Sequence, residues 1–581
     1  MKNFLKLVLA NLTAIFIAAT GLVMFFIAFI ILASISGTED IKSNSILTLD
    51  LKTKIIDSPT DEQEDIFAFK ENNNSVMLYD VLRSIENAKT DEKIKGISLE
   101  SDNISAGITQ LKDIREALID FKKSGKFVYA YGNGVSQSSY YLNSVADKFY
   151  LHPMGGVMLK GLSAEVTFFK NFADKYGIGI EVIRHGKFKA AVEPYFRNEI
   201  SPENKEQLSV LLNDIWNTTS SEIAKSRKIS PDNFKVITDS LYGVLPDLSL
   251  KNNLVDKLIQ KSDYDNILRK AVGVNTDKKL NKISFYNYSQ SLEEETDKDK
   301  VAILYASGQI FDGKGYNGIY SETLIKEIKK LQKNDDVKSV VLRINSPGGS
   351  ANASDCILYE LQNLKSKKPL IVSFGDYAAS GGYYIAMAAD KIYSEPNTLT
   401  GSIGVFGVIP YFKELAEKNG IRSDVVSTNS NSNMISTING LTPGTLNILT
   451  KNVEATYQRF VGFVTKNRKK TFEEVDAIGG GRVWSGTRAK QIGLVDELGS
   501  LQDAINFAAK SAKLKNYSIE SYPKKVSKIE QLLNSETEDD LSTRLIKSKL
   551  GKENYKIFEQ ISNPSLKSSV MMDMPYSVKI D

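Results

Sequence analysis

Two stretches of this chain lie over one another without a gap, and that duplication constrains the fold more than any other feature. "IKGISLESDNISAGITQLKDIREALIDFKKSGKFVYAYGNGVSQSSYYLNSVADKFYLHP" occupies 94–153, and "VKSVVLRINSPGGSANASDCILYELQNLKSKKPLIVSFGDYAASGGYYIAMAADKIYSEP" occupies 337–396. Both read as strand, turn, amphipathic helix, lysine-rich turn, strand, small-residue turn and helix. Further on, "NNLVDKLI" (252–259) matches "IGLVDELG" (492–499). Long-period self-similarity marks a repeated structural unit. Strands alternating with helices argue for mostly parallel sheets built from βαβ crossovers. The expected class is α/β: a first unit at 40–290, the charged linker "SLEEETDKDK" at 291–300, and a second unit at 301–515. Residues 516–581 are polar and charged and read as a peripheral tail.

The N-terminus has a different character. Leu7 to Ile35 carries no charge, and at about 1.5 Å per residue it is ample for a hydrocarbon core of about 30 Å. Lys2 and Lys6 precede it while Glu39 and Asp40 follow. The positive-inside rule then keeps residues 1–6 in the cytoplasm and sends the body outside. A cleaved leader has an apolar region of only about 7–15 residues, so 7–36 is expected to be an uncleaved transmembrane anchor in a cytoplasmic membrane. The lipid bilayer is the first expected partner.

Elsewhere the composition excludes more than it selects. A net charge of +4 over 581 residues gives no nucleic-acid footprint. Cys356 is the single cysteine, and His152 and His185 are the two histidines. A thiolate metal cluster, a disulfide framework and a Ser-His-Asp triad are all disfavoured by that scarcity. No cofactor and no metal are expected.

The copies are most informative where they differ. Ser380 aligns with Gln137, and Gly381-Gly382 align with Ser138-Ser139. In the region of the second copy's turn "NSPGGS" (345–350) the first copy reads "SDNISA" (101–106), without the Pro-Gly-Gly. A helix cap would explain Ser380 alone, since serine is favoured there. Joint loss of the serine and of the facing Pro-Gly-Gly turn points to a site that works in the second copy and has decayed in the first. Ser380 is then a candidate nucleophile, and Gly348-Gly349 a candidate oxyanion turn where the backbone can approach closely.

A serine nucleophile needs a base. His185 lies in "EVIRHGKFKAAVEPYFRNEISPENKEQ" (181–207), where Lys187 and Lys189 align with Ser430 and Ser432 of the second copy. The first copy therefore kept a basic cluster that the second lost. A lysine desolvated among Phe188, Ala190, Ala191 and Val192 can act as a base, because burial disfavours its charged form. The residues alone leave Lys187 and Lys189 as alternatives.

"RINSPGGSANAS", "GDYAASGGYYIAMAADKIYSEPNTLTGSIGVFG" and "KFKAAVEPYFRNEISPEN" resemble peptidase family S49, in the long duplicated form of its signal peptide peptidase A (protease IV) branch. The likeness covers roughly residues 1–515 and implies two tandem ClpP/crotonase-like units with a Ser-Lys dyad. It implies Ser380 as nucleophile and Lys189 as general base, with Gly349 in the oxyanion turn beside Gly348 and Gly381. It also implies that Ser402, in "LTGSIG", holds the lysine. Cleaved signal peptides and similar hydrophobic peptides are the implied substrates. Two other readings fit parts of the pattern: a catalytically inactive membrane scaffold, and an acyl-CoA hydratase or isomerase of the same fold. The serine and lysine lie in different units, and the short linker favours their meeting within one chain. A closed homo-oligomer, a tetramer, is expected because an open unit–unit junction would be self-complementary.

Overall fold

The computed structural model describes scattered residues between 6 and 25, then 41–50, 53–59, 74–293, 296–316, 318–524 and 571–572. The anchor expected at 7–36 lies largely outside the described residues. Among these, no helix is long and apolar enough to cross a membrane.

Strands such as "IKGISLE" and "KVAILYAS" carry near-continuous runs of buried residues, the pattern of parallel strands covered on both faces. In the first unit the strand order is Lys257–Leu258, Lys148–Val157, Phe127–Val135, Ile94–Glu100, Ser45–Asp50 and Lys282–Ser284, all parallel. The second unit repeats it as Glu497–Leu498, Lys391–Ser394, Leu370–Ala379, Val337–Ser346, Lys300–Ser307 and Ser518–Tyr522. These too run parallel. Helices Ile108–Phe121 and Ala351–Lys365 cover equivalent faces, and each unit has its own apolar core.

The edge strand Ser518–Tyr522 corrects the boundary drawn at 515. It pairs along Lys300–Leu304 as Lys282–Ser284 pairs with Ser45–Asp50, so the second unit extends past the segment read as tail. Nor is the remainder wholly peripheral, since Met571–Met572 enters a sheet of the second unit.

The units meet through buried polar contacts and apolar packing. Arg343 pairs with Asp57 at 3.2 Å, both almost fully buried, and Thr109 donates through N–H and hydroxyl to Asp376. The 26-residue helix Pro202–Arg227 crosses to the second unit. There Leu211 and Ile215 pack with Ala379, Leu399 and Val483, and Asp214 pairs with Arg488. This helix holds the segment before it, which contains Lys189, against the second unit.

Candidate active site

Strand Leu370–Ala379 ends at Ser380 and helix Gly381–Ala386 begins one residue later. The turn has no room for relaxed backbone: Ser380 sits at φ 53°, ψ −115°, a region that costs a non-glycine residue about 1–3 kcal/mol. Its N–H donates to Gly401 O at 2.8 Å, fixing the turn. Ser380 occupies the cap position yet makes no capping bond with its side chain. The cap of the equivalent helix in the first unit does the opposite, for Ser136 Oγ accepts from Ser139 N at 3.3 Å. Capping therefore does not account for Ser380. The following glycines are sterically required: a Cβ on Gly381 would lie 2.7 Å from Ser354 Oγ, and one on Gly382 2.7 Å from Ser346 O.

Lys189 reaches this serine from an arm of the first unit. Strand Gly179–Arg184 runs antiparallel to Phe406–Tyr411 of the second unit, Arg184 opposite Phe406. Beyond it, His185 N donates to Val405 O and Phe188 N to Gly480 O. The loop is thus laced to the second unit twice in the four residues before Lys189, which is fully buried. Its Nζ donates to Ser380 Oγ at 2.9 Å, to Ser402 Oγ at 2.9 Å and to Ser402 O at 3.4 Å. Lys187 is exposed and lies over the Phe188 ring. The two lysines left open by the residues alone are separated by this geometry, and both partners of Lys189 belong to the same chain.

Ser402 is buried at φ 49°, its N–H held by Arg482 O at 2.7 Å. Opposite, Gly348 and Gly349 have φ 111° and 152°, and a Cβ on Gly349 would stand 2.1 Å from Ile310 O. Ile310 N donates back to Gly348 O at 2.8 Å. A Cβ on Gly348 would be 2.8 Å from Gly381 N, so the turn and the first helical N–H beyond Ser380 adjoin one another. All six sequence candidates, Ser380, Lys189, Gly348, Gly349, Gly381 and Ser402, converge on one point.

Several supporting residues escaped the sequence reading. Gly481 and Gly404 lie against Lys189, whose Cβ would be 2.6 Å from a side chain at 481. The run "IGGGR" (478–482) was their available signal. Glu193 is fully buried and accepts from Ser201 Oγ at 2.5 Å and Asn204 Nδ2 at 3.1 Å. Arg184, 4.0 Å from Glu193, donates to Lys189 O at 3.3 Å. A carboxylate inside "AAVEPYF" was a visible anomaly, because a buried charge needs partners.

The corresponding place in the first unit is filled. Gln137 is buried, with Oε1 accepting from Lys160 N and Gly161 N and Nε2 donating to Gly161 O. Ser430 and Ser432 are exposed. Neither histidine touches Ser380: His152 bonds Gln260, while His185 pairs with Glu454 and stacks on Tyr457.

The sequence model of peptidase family S49 matches residues 120–275 and 362–515, and that of Clp protease matches 292–400. "Protease 4" of Salmonella typhi is 34% identical over 553 residues, covering 92% of this chain and 88% of that protein. "Protease 4" of Haemophilus influenzae is 35% identical over 495 residues, covering 81% and 80%. "Serine protease SPPA, chloroplastic" of Arabidopsis thaliana is 31% identical over 489 residues, covering 82% and 70%. The tandem units have the ClpP-like α/β fold, and the chain belongs to peptidase family S49 as a serine endopeptidase.

Proposed function

We propose that this endopeptidase works through a Ser380–Lys189 dyad. We further propose that it is anchored by residues 7–36 with its body on the outer face of a cytoplasmic membrane, and degrades remnant signal peptides and similar hydrophobic peptides. The observation that carries the dyad is the 2.9 Å contact between Lys189 Nζ and Ser380 Oγ, both buried. The uncharged N-terminal stretch supports the location, and the motif likeness supports the substrate class. A closed homo-oligomer belongs to the same reading.

In this mechanism neutral Lys189 accepts the Ser380 hydroxyl proton as Oγ adds to the substrate carbonyl carbon. Ser402 Oγ and O accept from the ammonium that forms, so Nζ stays aimed at the reacting atoms. The developing oxyanion meets N–H groups of the Gly348-Gly349 turn and Gly381, where one well-aimed donor contributes about 3–4 kcal/mol. Lys189 then returns the proton to the leaving amine, and water hydrolyses the acyl-enzyme by the same route.

Ser380→Ala tests the reading. It should abolish peptide hydrolysis with the fold intact, and residual turnover above about a hundredth of wild type would count against this nucleophile. Gln137→Ala is the control. It should leave kcat/KM unchanged, while two N–H groups that lose their acceptor lower Tm.

A further inference from the structure

Lys189 is carried by a loop of the first unit whose backbone donates to the second. Phe188 N, one residue before the lysine, donates to Gly480 O at 3.1 Å. That acceptor lies in the run Gly479-Gly480-Gly481, where Gly480 and Gly481 have φ 60° and 84°. A glycine run has no side chains to lock its shape, so its partners must do so. The same run serves the residue that receives the lysine ammonium. Arg482 N donates to Gly479 O at 3.0 Å, and Arg482 O accepts from Ser402 N at 2.7 Å.

One side chain secures the run and the loop together. Tyr457 is buried on the 26-residue helix Pro443–Arg468. Its hydroxyl donates to Asp476 Oδ1 and accepts from Gly480 N at 3.3 Å. A phenol has one proton, so the bond to the carboxylate leaves a lone pair for the glycine N–H. The turn packs directly on this oxygen, since a Cβ on Gly479 would lie 3.1 Å from it. The Tyr457 ring also stacks on His185, with centroids 3.6 Å apart and planes at 21°. His185 Nδ1 lies 2.6 Å from Glu454 Oε2 of the same helix. Tyr457 thus meets the lysine loop at His185 and, through Gly480, at Phe188. The matching position of the equally long helix Pro202–Arg227 is Trp216, whose indole N–H can only donate. The unit that receives the lysine has the hydroxyl acceptor, and the unit that supplies the lysine does not.

We propose that Tyr457 is a positioning residue for the general base. The inference rests on the dyad reading above. Tyr457 acts without a hydrogen bond to Ser380 or Lys189. Through Gly480 it fixes the backbone on which Lys189 stands, and through Arg482 the backbone of Ser402. Lys189 Nζ is 2.9 Å from Ser380 Oγ, and a misplacement of about 1 Å costs about a hundredfold in rate. The loss falls on kcat, because aiming of the base counts in the reacting complex.

Tyr457→Phe tests this, since it keeps the ring and its stack and removes the acceptor. It should lower kcat for a fluorogenic apolar peptide about tenfold or more. KM should stay within about twofold of wild type, and the Gly480 amide should exchange faster. A residue that aims Lys189 shares its effect with Ser402. In Ser402→Ala the further loss from Tyr457→Phe should therefore shrink to about threefold or less, whereas mere support of the fold would cost the same factor in both backgrounds. His185→Ala removes the stack from its partly exposed side, and decides the matter if Tyr457→Phe does not fold. It should lower kcat about threefold or more with KM unchanged. A kcat within about twofold of wild type in the folded variants overturns the inference, as does a loss carried by KM or an equal loss in both backgrounds. Lys189→Ala separates the two readings. If it is inert while Tyr457→Phe is unimpaired, the dyad stands and the role of Tyr457 falls. If Lys189→Ala keeps wild-type turnover, the dyad reading fails and the positioning role with it.

Discussion

Removing the Ser402 hydroxyl isolates the part of catalysis that depends on aiming the base. Ser402 Oγ and Ser380 Oγ each receive Lys189 Nζ at 2.9 Å, while Ser402 O lies farther away at 3.4 Å. Loss of Oγ leaves the ammonium formed in the transition state with its long carbonyl contact and a small buried void. A hydrogen bond to a charged group contributes about 1.5–3 kcal/mol, which corresponds to roughly a 10- to 150-fold fall in kcat/KM. Two variants separate this from backbone effects, because Ser402 has φ 49°. Ser402→Ala keeps a Cβ in the left-handed region, and Ser402→Gly relieves it. Both should lose the same activity despite different Tm. KM should change little, since the hydroxyl faces the lysine. Hydrolysis of a fluorogenic peptide under steady-state conditions reads both parameters. If both variants stay within about threefold of wild type, Ser402 does not position the base. If the alanine variant alone is impaired, the backbone is responsible.

Three other outcomes follow from the same geometry. A lysine base must be neutral to act, so kcat/KM should rise with pH along one limb. A limb at about pH 4–5 with a flat profile above it would identify a carboxylate base instead. Because Lys189 and Ser380 meet within one chain, dissociating and reassembling a mixture of Ser380→Ala and Lys189→Ala proteins should restore nothing. Recovery near a quarter of wild type, as random pairing between chains would give, would refute the within-chain site. Asp113 of the first unit and Glu395 of the second are neighbouring carboxyl groups in the interior. Burial pushes Asp113 up to about 6 and Glu395 well above its ordinary value, against the opposing pull of Arg343 on Asp113 and Lys112 on Glu395. Nearby Asp57 and Glu116 push Asp113 the same way as burial. The folded chain therefore binds more protons than the unfolded chain, and these groups lose stability as pH rises from about 4 through 6 and beyond. Glu395→Gln should raise Tm by a few degrees at pH 8 and much less at pH 4. An equal shift at both pH values would show that the pair does not titrate with folding.

The sequence by itself determined the architecture and pointed to the candidate site residues, leaving two lysines open. Strand and helix periodicities are local, and the duplication let each unit report on the other. Gln137 against Ser380, and Ser432 against Lys189, marked which copy kept which half of the chemistry. Local pattern could not decide geometry that depends on contacts between distant segments. Lys189 and Lys187 stand in the same loop, and only the lacing of that loop to Val405 and Gly480 buries one while leaving the other in solvent. Glu193 escaped the sequence reading because its partners Ser201, Asn204 and Arg184 come together only on folding. The strand Ser518–Tyr522 was lost in a polar stretch because an edge strand has little apolar pattern to show, and its pairing with Lys300–Leu304 is what makes it a strand. Met571–Met572 is the extreme case. Two residues carry no periodicity, so tertiary structure alone decides that they pair with Gly349–Ser350 at the candidate active site.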